Sequence, residues 1–562
     1  MDMRHLNSVA VLGLLAVLGC GKDSGAVDKQ GTPASQPAQA KPAVEVPILY
    51  GSEKKTWLEE QITAFNAGGA KTKDGRPVHV TGKPAGSGEA MTAILDGSAR
   101  PVVFSPASGA YVTLLNQTWQ SRDNHTKALA PAGEPLVLSP IVIAMWKPMA
   151  ETLGWPAKPI GWADILKVSR DPKGWGAKGR PEWGAMKLGH TNPEYSNSGL
   201  LSVLAIAYAG AGTTRGLTAT DVPKVMKFMT GVEDAIVHYG KSTGFFADKM
   251  IEHGPTYLSA AVMYENLVIE SYGRSPAPPL PIVAIYPVEG TFWSDHPYSV
   301  LDGEWVGPAE REAAGQFLAF LKARPQQERA LALGFRPVDP SIKVGAPVDT
   351  AHGVDPQQPQ TLLEVPDGPT LEALLATWRK TKKPADVVLA FDKSGSMTGA
   401  PLEQAKAGAK AFLATLDPRD EVTLVFFDGT VYPPFGPVEL GKAKAELESR
   451  IDGISAGGET ALYDATHKAD ELLTARRQTS AHRIRAAVIM TDGVDNKSQV
   501  KLDDLVRELG GEDRSATFFT IGYGAQPSKD ALEAIAKAGA GSFSQGDVTS
   551  IIGVYRDLAS FF

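Results

Sequence analysis

The sequence predicts an α/β protein of several compact units, and three observations predict it. Short apolar runs bounded by turn residues alternate with amphipathic stretches along most of the chain. The 562 residues are 43% hydrophobic and 21% charged, enough apolar material to give each unit its own core. From residue 385 onward the alternation of strand and helix becomes regular, as a mostly parallel, doubly wound sheet requires. A formal net charge of −7 without any long basic tract argues against a nucleic-acid-binding surface.

The chain opens with Arg4 and His5, continues through the apolar run Val9 to Leu18 and reaches Val17-Leu18-Gly19-Cys20. Residues 1–19 therefore read as a signal peptide, too short to span a bilayer. Cys20 is the one cysteine of the sequence, which excludes an intramolecular disulfide, a cysteine zinc site and a CxxC pair. The pattern resembles a bacterial lipoprotein signal, from which Asp2 and Val17 depart slightly. That resemblance implies cleavage before Cys20 and lipid attachment to its thiol, so that the membrane is reached through the anchor alone. An ordinary secretory signal with an incidental cysteine is the alternative. Gly21 stands where an acidic residue often retains lipoproteins at an inner membrane, which favours the outer membrane of a bacterial cell envelope. Residues 20–45, rich in Gly, Ala, Pro, Gln and Lys, read as a flexible tether.

Residues 46–345 form the next unit. Val46 to Tyr50 reads as a strand and Thr56 to Phe65 as a helix; further strands are expected at Val102–Ser105, Leu136–Leu138, Ile141–Trp146, Ala260–Tyr264 and Ile282–Tyr286. Leu200 to Ala211 is apolar but too short to cross a membrane, and reads as a buried helix. Residues 346–384 form a low-hydrophobicity linker ending in a helix, Leu371 to Lys383. In residues 385–562 strands are expected at Asp386–Phe391, Val422–Phe427, Arg485–Met490 and Ala516–Ile521, and helices at Leu402–Leu416, Ala461–Thr474 and Ser528–Ala538.

Three loops of this last unit concentrate oxygen donors. Asp392, Ser394 and Ser396 follow its first strand, Thr460 follows Gly457-Gly458-Glu459, and Asp492 follows another strand in Thr491-Asp492-Gly493. Hard oxygen ligands without histidine or thiolate suit Mg²⁺, or Mn²⁺ or Ca²⁺, rather than zinc or copper. Two carboxylates balance such an ion and the neutral hydroxyls leave it electrophilic. The ordered set D-x-S-x-S, G-G-x-T and T-D-G resembles a von Willebrand factor A domain with a complete metal-ion-dependent adhesion site. The resemblance implies that Asp392, Ser394, Ser396, Thr460 and Asp492 hold the metal, some through water, and that a partner protein completes it with an Asp or Glu.

Other motifs lead nowhere. Ser394 stands where a phosphotransferase would want a second aspartate. Gly240-Lys241-Ser242-Thr243 lacks the leading glycine of a phosphate loop, since Ala235 is there, and Gly231 to His238 reads as helix. The ten histidines form no H-x-x-x-H pair and give no serine an evident base, so no enzyme is expected.

Residues 46–345 resemble a bacterial extracellular solute-binding protein of the two-lobed type 2 periplasmic class. The resemblance is carried by Gly82-Lys83-Pro84-Ala85-Gly86-Ser87-Gly88-Glu89 before a helix, Ser139 to Met145 at a lobe crossover, Tyr286 to Thr291, Phe317 to Leu321 and Gly334 to Pro337. Such clefts hold polar solutes with hydroxyls and helix N-termini. Candidate ligand residues are Ser52, Ser87, Ser105, Ser139, Ser198 and Tyr264; each serine has the alternative of a simple helix N-cap. Glu89 and Glu265 lie near this set and weaken a purely anionic preference. Trp146, Trp155, Trp162, Trp175 and Trp183 are spaced irregularly, as for packing rather than carbohydrate stacking. The chain thus reads as an anchored receptor that joins solute binding to Mg²⁺-dependent protein binding. The alternative is the solute-binding component of an ABC-type transporter, with a permease as partner and the last domain as scaffold.

Overall fold

The computed structural model describes residues 42–562 apart from 123–124, 481, 512–515, 525–527 and 548–549, so the expectations for Cys20, the signal and most of the tether lie outside the described residues. In chain order the first lobe contributes β1 (Val44–Gly51), β2 (Val78–Ala85), β3 (Val103–Ser105) and β4 (Glu134–Pro135). Helices Lys55–Ala67 and Ser87–Leu95 follow β1 and β2, the latter starting directly after Gly86. The chain then crosses into β5 (Val137–Trp146), β6 (Leu188–Thr191), β7 (Ile236–Gly240), β8 (Ala260–Tyr264), β9 (Ile282–Ile285) and β10 (Trp293–Ser294). It returns through Asp295 and His296 to β11 (Pro297–Val300), and β12 (Arg336–Pro337) closes on β5.

These strands make two sheets, β2-β1-β3-β11-β4 and β10-β5-β8-β6-β7, with β9 and β12 also on β5. Two crossings, at 135–137 and 294–297, join the lobes and lie against each other, Leu136 N–H donating to the His296 carbonyl at 3.3 Å. Leu136–Leu138 and Ile141–Trp146 were expected as two strands; Val137–Trp146 is one, because Pro140 needs no ladder donor where β10 pairs beside it. Gly231 to His238 is not one helix: Val222–Glu233 is helical and Ile236–Gly240 is a strand, since Ile236 and Tyr239 are buried in the sheet. Asn197–Ala211 is the expected helix, buried on almost every face. Trp146, Trp162 and Trp175 are buried in the second lobe, Trp175 edge-on to Trp183 at 5.5 Å.

The linker is not loose. Its Gly353 carbonyl accepts from Ala284 N–H at 2.8 Å and Leu362 bridges to Thr291, so it runs along lobe 2. Helix Gly368–Thr381, capped by Asp367, then packs on the lobe 2 helices Asn197–Ala211 and Val222–Glu233. The C-terminal domain is a six-stranded sheet built from β13 (Ala385–Asp392), β14 (Glu421–Phe427), β15 (Phe435–Glu439), β16 (Ile484–Thr491), β17 (Thr517–Tyr523) and β18 (Ala540–Gly546). Its order is β15-β14-β13-β16-β17-β18, parallel except for β15. The order in which strands are added reverses between the parallel neighbours β13 and β16, the switch point where such sheets place their sites. β13 is buried at all eight positions, which is why its sequence reads as an apolar run, Val387 to Phe391, up to Asp392.

Candidate functional site

Asp392 ends β13 and is fully buried, and both carboxylate oxygens are engaged by the chain. One accepts from Ser394 N–H at 2.7 Å, the other from the Thr491 hydroxyl at the end of β16. The tight turn this creates brings the Ser394 and Ser396 hydroxyls within 3.1 Å of each other, and Ser396 donates to Asp492 at 2.7 Å. The Gly457-Gly458 loop is seated on the same turn, Gly395 N–H donating to the Gly458 carbonyl at 3.0 Å and Gly457 N–H to the Lys393 carbonyl at 2.8 Å. Gly458 has φ +87°, a conformation that favours glycine, and any Cβ there would meet the Asp428 carboxyl. Thr460 follows with its hydroxyl 3.0 Å from where a Cβ on Gly493 would stand, beside Asp492. The structure thus brings the five sequence-selected oxygen donors to one end of the sheet.

Among the described residues no cation pairs with the carboxylates at this point. Burial pushes the Asp392 carboxyl up to about 6, with Asp492 adding repulsion, and burial raises Asp492 as well. Asp428, one loop away, is compensated instead: Lys393 and Tyr432 both donate to it, and Lys393 also lies 4.4 Å from the Tyr432 ring centre. Two carboxylates without a cation and three hydroxyls fit a hard divalent ion, whose charge would relieve the repulsion. Among the described residues no cluster of three His, Cys, Asp or Glu offers a rival metal centre. The rim of the loops carries exposed apolar side chains, Val494 at 57% and Tyr432 at 39%.

The cleft between the lobes is closed by the chain's own groups. The N-terminus of helix Ser87–Leu95, a place for an anion, is taken by the Tyr195 carbonyl of lobe 2, which accepts from Gly88 N–H at 2.9 Å and Glu89 N–H at 3.2 Å. A Cβ on Gly88 would stand 2.0 Å from the Glu194 carbonyl oxygen, so the close approach needs glycine. Tyr111 donates to the Pro193 carbonyl and Ser108 to Asn197, both at 2.6 Å, and Lys241 pairs with Glu89 at 3.1 Å.

Of the six expected ligand residues, Ser52 lines an open chamber and the other five are buried. Ser87 accepts from Ala107 N–H, Ser139 donates to Asn266, and Ser198 is bonded to Thr191 and Thr243. Tyr264 accepts from Asn197 at 3.0 Å, whereas the Ser105 hydroxyl has no partner among the described residues. Ser87 and Ser198 lie inside the first turns of their helices, so the alternative of an N-cap fails for them too. Glu265 is held by Arg336 at 2.6 and 2.8 Å and by Tyr286. Sequence reasoning missed the base of the cleft, where Glu53, Lys54 and His296 are buried together; Lys54 donates to Glu53 at 2.8 Å and His296 approaches Glu53 at 3.1 Å. Burial opposes ionisation of Glu53, but Lys54 and His296 overcome it and hold the carboxyl down at about 2. A Glu-Lys pair after a strand gives no signal of this.

A two-lobed module with two crossings is followed by a switch-point sheet with oxygen-rich loops, the arrangement of a solute-binding module joined to a second α/β domain. Residues 46–336 match the family model described as bacterial extracellular solute-binding protein, more than half of the chain, and the chain belongs to that family. Residues 386–555 match the von Willebrand factor type A domain. The chain is 29% identical over 167 residues to an uncharacterized protein, sll0103, of Synechocystis, a match covering 29% of this chain and 37% of that one. It is 31% identical over 168 residues to the human inter-alpha-trypsin inhibitor heavy chain H4, covering 28% and 17%. These curated relatives are therefore matched over well under two thirds of their length. Among solved structures, a periplasmic thiamin binding protein aligns over 62% of this chain and 98% of its own at 13% identity and TM-score 0.43. A von Willebrand factor type A protein from Catenulispora acidiphila aligns over 32% and 42% at 21% identity and TM-score 0.28.

Proposed function

We propose that the protein is an extracytoplasmic receptor that binds a small polar solute through its two-lobed module and a protein through a divalent metal in the von Willebrand domain. The observation that carries the second half is the convergence of Asp392, Ser394, Ser396, Thr460 and Asp492 with two uncompensated carboxylates. When bound there, Mg²⁺, or Mn²⁺ or Ca²⁺, supplies an electrophilic centre for an outside carboxylate. The chain's own residues do the rest: Thr491 and Ser394 N–H orient Asp392, Ser396 orients Asp492, and the Gly458 turn holds the Thr460 loop over both. Exposed Val494 and Tyr432 support a protein rather than a free acid as partner, since they give an Asp- or Glu-bearing surface something apolar to cover. Lipidation of Cys20 would hold this receptor to the cell envelope, on the outer membrane where there is one.

Mg²⁺ at 100 times its Kd is expected to add about 2.7 kcal/mol to the stability of the soluble chain from Lys22 onward. Asp392→Ala abolishes that gain and, with it, metal-dependent capture of the partner. A thermal transition in the parent chain that does not respond to Mg²⁺, Mn²⁺ or Ca²⁺ sinks the metal reading. The transporter alternative predicts otherwise: solute uptake by the host survives Asp392→Ala and is lost on cleft substitution.

A further inference from the structure

The solute module and the von Willebrand domain meet at a chamber of about 530 Å³, within the usual range of small-molecule sites. Lobe 1 supplies Ser52, Thr56 and Glu89 to its wall, and lobe 2 supplies Lys241, Ser242 and Phe245. The third wall is foreign to the solute module: Ser542, Phe543 and Ser544 from the edge strand β18, and Phe561 beside the chain's end.

This meeting is built by specific contacts. The loop from Asn192 to Tyr195, whose Tyr195 carbonyl caps the lobe 1 helix, also binds the far domain. Asn192 donates to the Ser560 carbonyl at 3.2 Å, and Glu194 accepts from Arg379 of the linker helix at 2.7 Å. Phe561 packs on Phe245 with ring centres 5.7 Å apart, and Lys383 donates to the Asp234 and Ile236 carbonyls of lobe 2 at 3.1 and 3.2 Å. One loop therefore holds the two lobes together and also binds the C-terminal end of the von Willebrand domain at Ser560.

The chemistry of the wall narrows the occupant. Its carboxylates are matched by cations: Glu53 by Lys54 at 2.8 Å, Glu89 by Lys241 at 3.1 Å, and Arg274 holds both Asp248 at 2.7 Å and Glu270 at 3.0 Å, with Lys55 restoring the balance. Hydroxyls come from all three walls, and Phe245 and Phe543 give apolar faces. A balanced wall disfavours a net charge, since an unpaired ion would lose hydration without a partner.

We propose that this chamber is a composite site, held by both lobes and roofed by β18 of the von Willebrand domain, for a small neutral or zwitterionic solute bearing hydroxyl or amide groups and one apolar face. It rests on the solute-binding reading above and adds that the second domain is part of the site. Occupancy then ties that domain to both lobes, which links solute binding to the position of the metal loops' domain.

The test uses the soluble chain from Lys22 onward. The probes are small molecules that native mass spectrometry finds on the chain purified from its own host, and the common zwitterionic amino acids and neutral monosaccharides added singly and read by thermal shift. Ser544→Arg fills the roof and Ser242→Arg the lobe 2 wall; each is expected to weaken the response by roughly tenfold or more. An unchanged Mg²⁺ response shows that the roof variant has kept its domain folded, and Ser542→Trp replaces Ser544→Arg where it has not. A response lost in Ser242→Arg but kept by the roof variants overturns the composite site and leaves the solute reading standing. Absence of any adduct or shift in the parent chain overturns both.

Discussion

The cleft and the metal loops are both built of buried polar groups, yet they treat charge in opposite ways. In the cleft module two buried carboxylates have cations of their own: Glu53 has Lys54, and Glu265 has a two-pronged contact with Arg336. At the metal loops Asp392 and Asp492 share hydroxyl and amide donors but no cation, and burial raises both. The difference teaches that the first set is compensated within the chain, whereas the second carries the unmet charge on which the metal proposal rests.

The largest expected effect breaks this comparison directly. Glu265→Gln leaves the buried Arg336 guanidinium without its counter-charge and is expected to cost about 3–5 kcal/mol in urea unfolding. Asp392→Asn, measured without metal, is expected to leave stability unchanged or raised, because it removes a buried charge that has hydrogen-bond donors but no counter-charge. Equal losses in the two variants would erase the distinction.

A smaller effect probes the seam between the domains through pH. Burial pushes the Lys383 ammonium down to about 8, below its ordinary value near 10.5. Between those values the unfolded chain binds more protons than the folded one, so stability contributed by this group rises with pH, by at most about 3 kcal/mol. Denaturation series at pH 8 and pH 10, compared with Lys383→Met, isolate the slope; a parent curve parallel to the variant's removes Lys383 from the seam. The smallest effect is Arg379→Ala. Its pair with Glu194 is half-exposed and is expected to contribute only about 0.2–1 kcal/mol, weakened further by salt, so a larger loss in the same assay would show that the Asn192–Tyr195 loop depends on it.

Much of the fold is legible in the chain. β13, β14, β16 and β17 lie within about one or two residues of their sequence positions because parallel strands buried on both faces are continuous apolar runs. β15 and β18 escaped notice since they are sheet edges, half-exposed and rich in Gly, Ser, Pro and Glu. The clustering of the five loop oxygens was legible for a related reason: Asp392, Ser394, Ser396 and Asp492 stand at or just after strand ends and Thr460 follows a Gly-Gly turn, so local sequence already places them. The cleft residues were not. Ser87, Ser139 and Ser198 carry the right chemistry, but their partners lie up to 127 residues away and turned them inward, onto Ala107, Asn266 and Thr243.

By itself the sequence determined the α/β class, the order of the two modules and the clustering of oxygen donors in the loops beside β13 and β16, because strand periodicity and loop chemistry are local properties. Only the tertiary structure decided that the lobes close on their own carbonyls, that Glu53, Lys54 and His296 share one buried point, and that β18 stands over the cleft. Those contacts join residues from distant parts of the chain, and packing, which no local pattern encodes, selects among the partners each polar group could have taken.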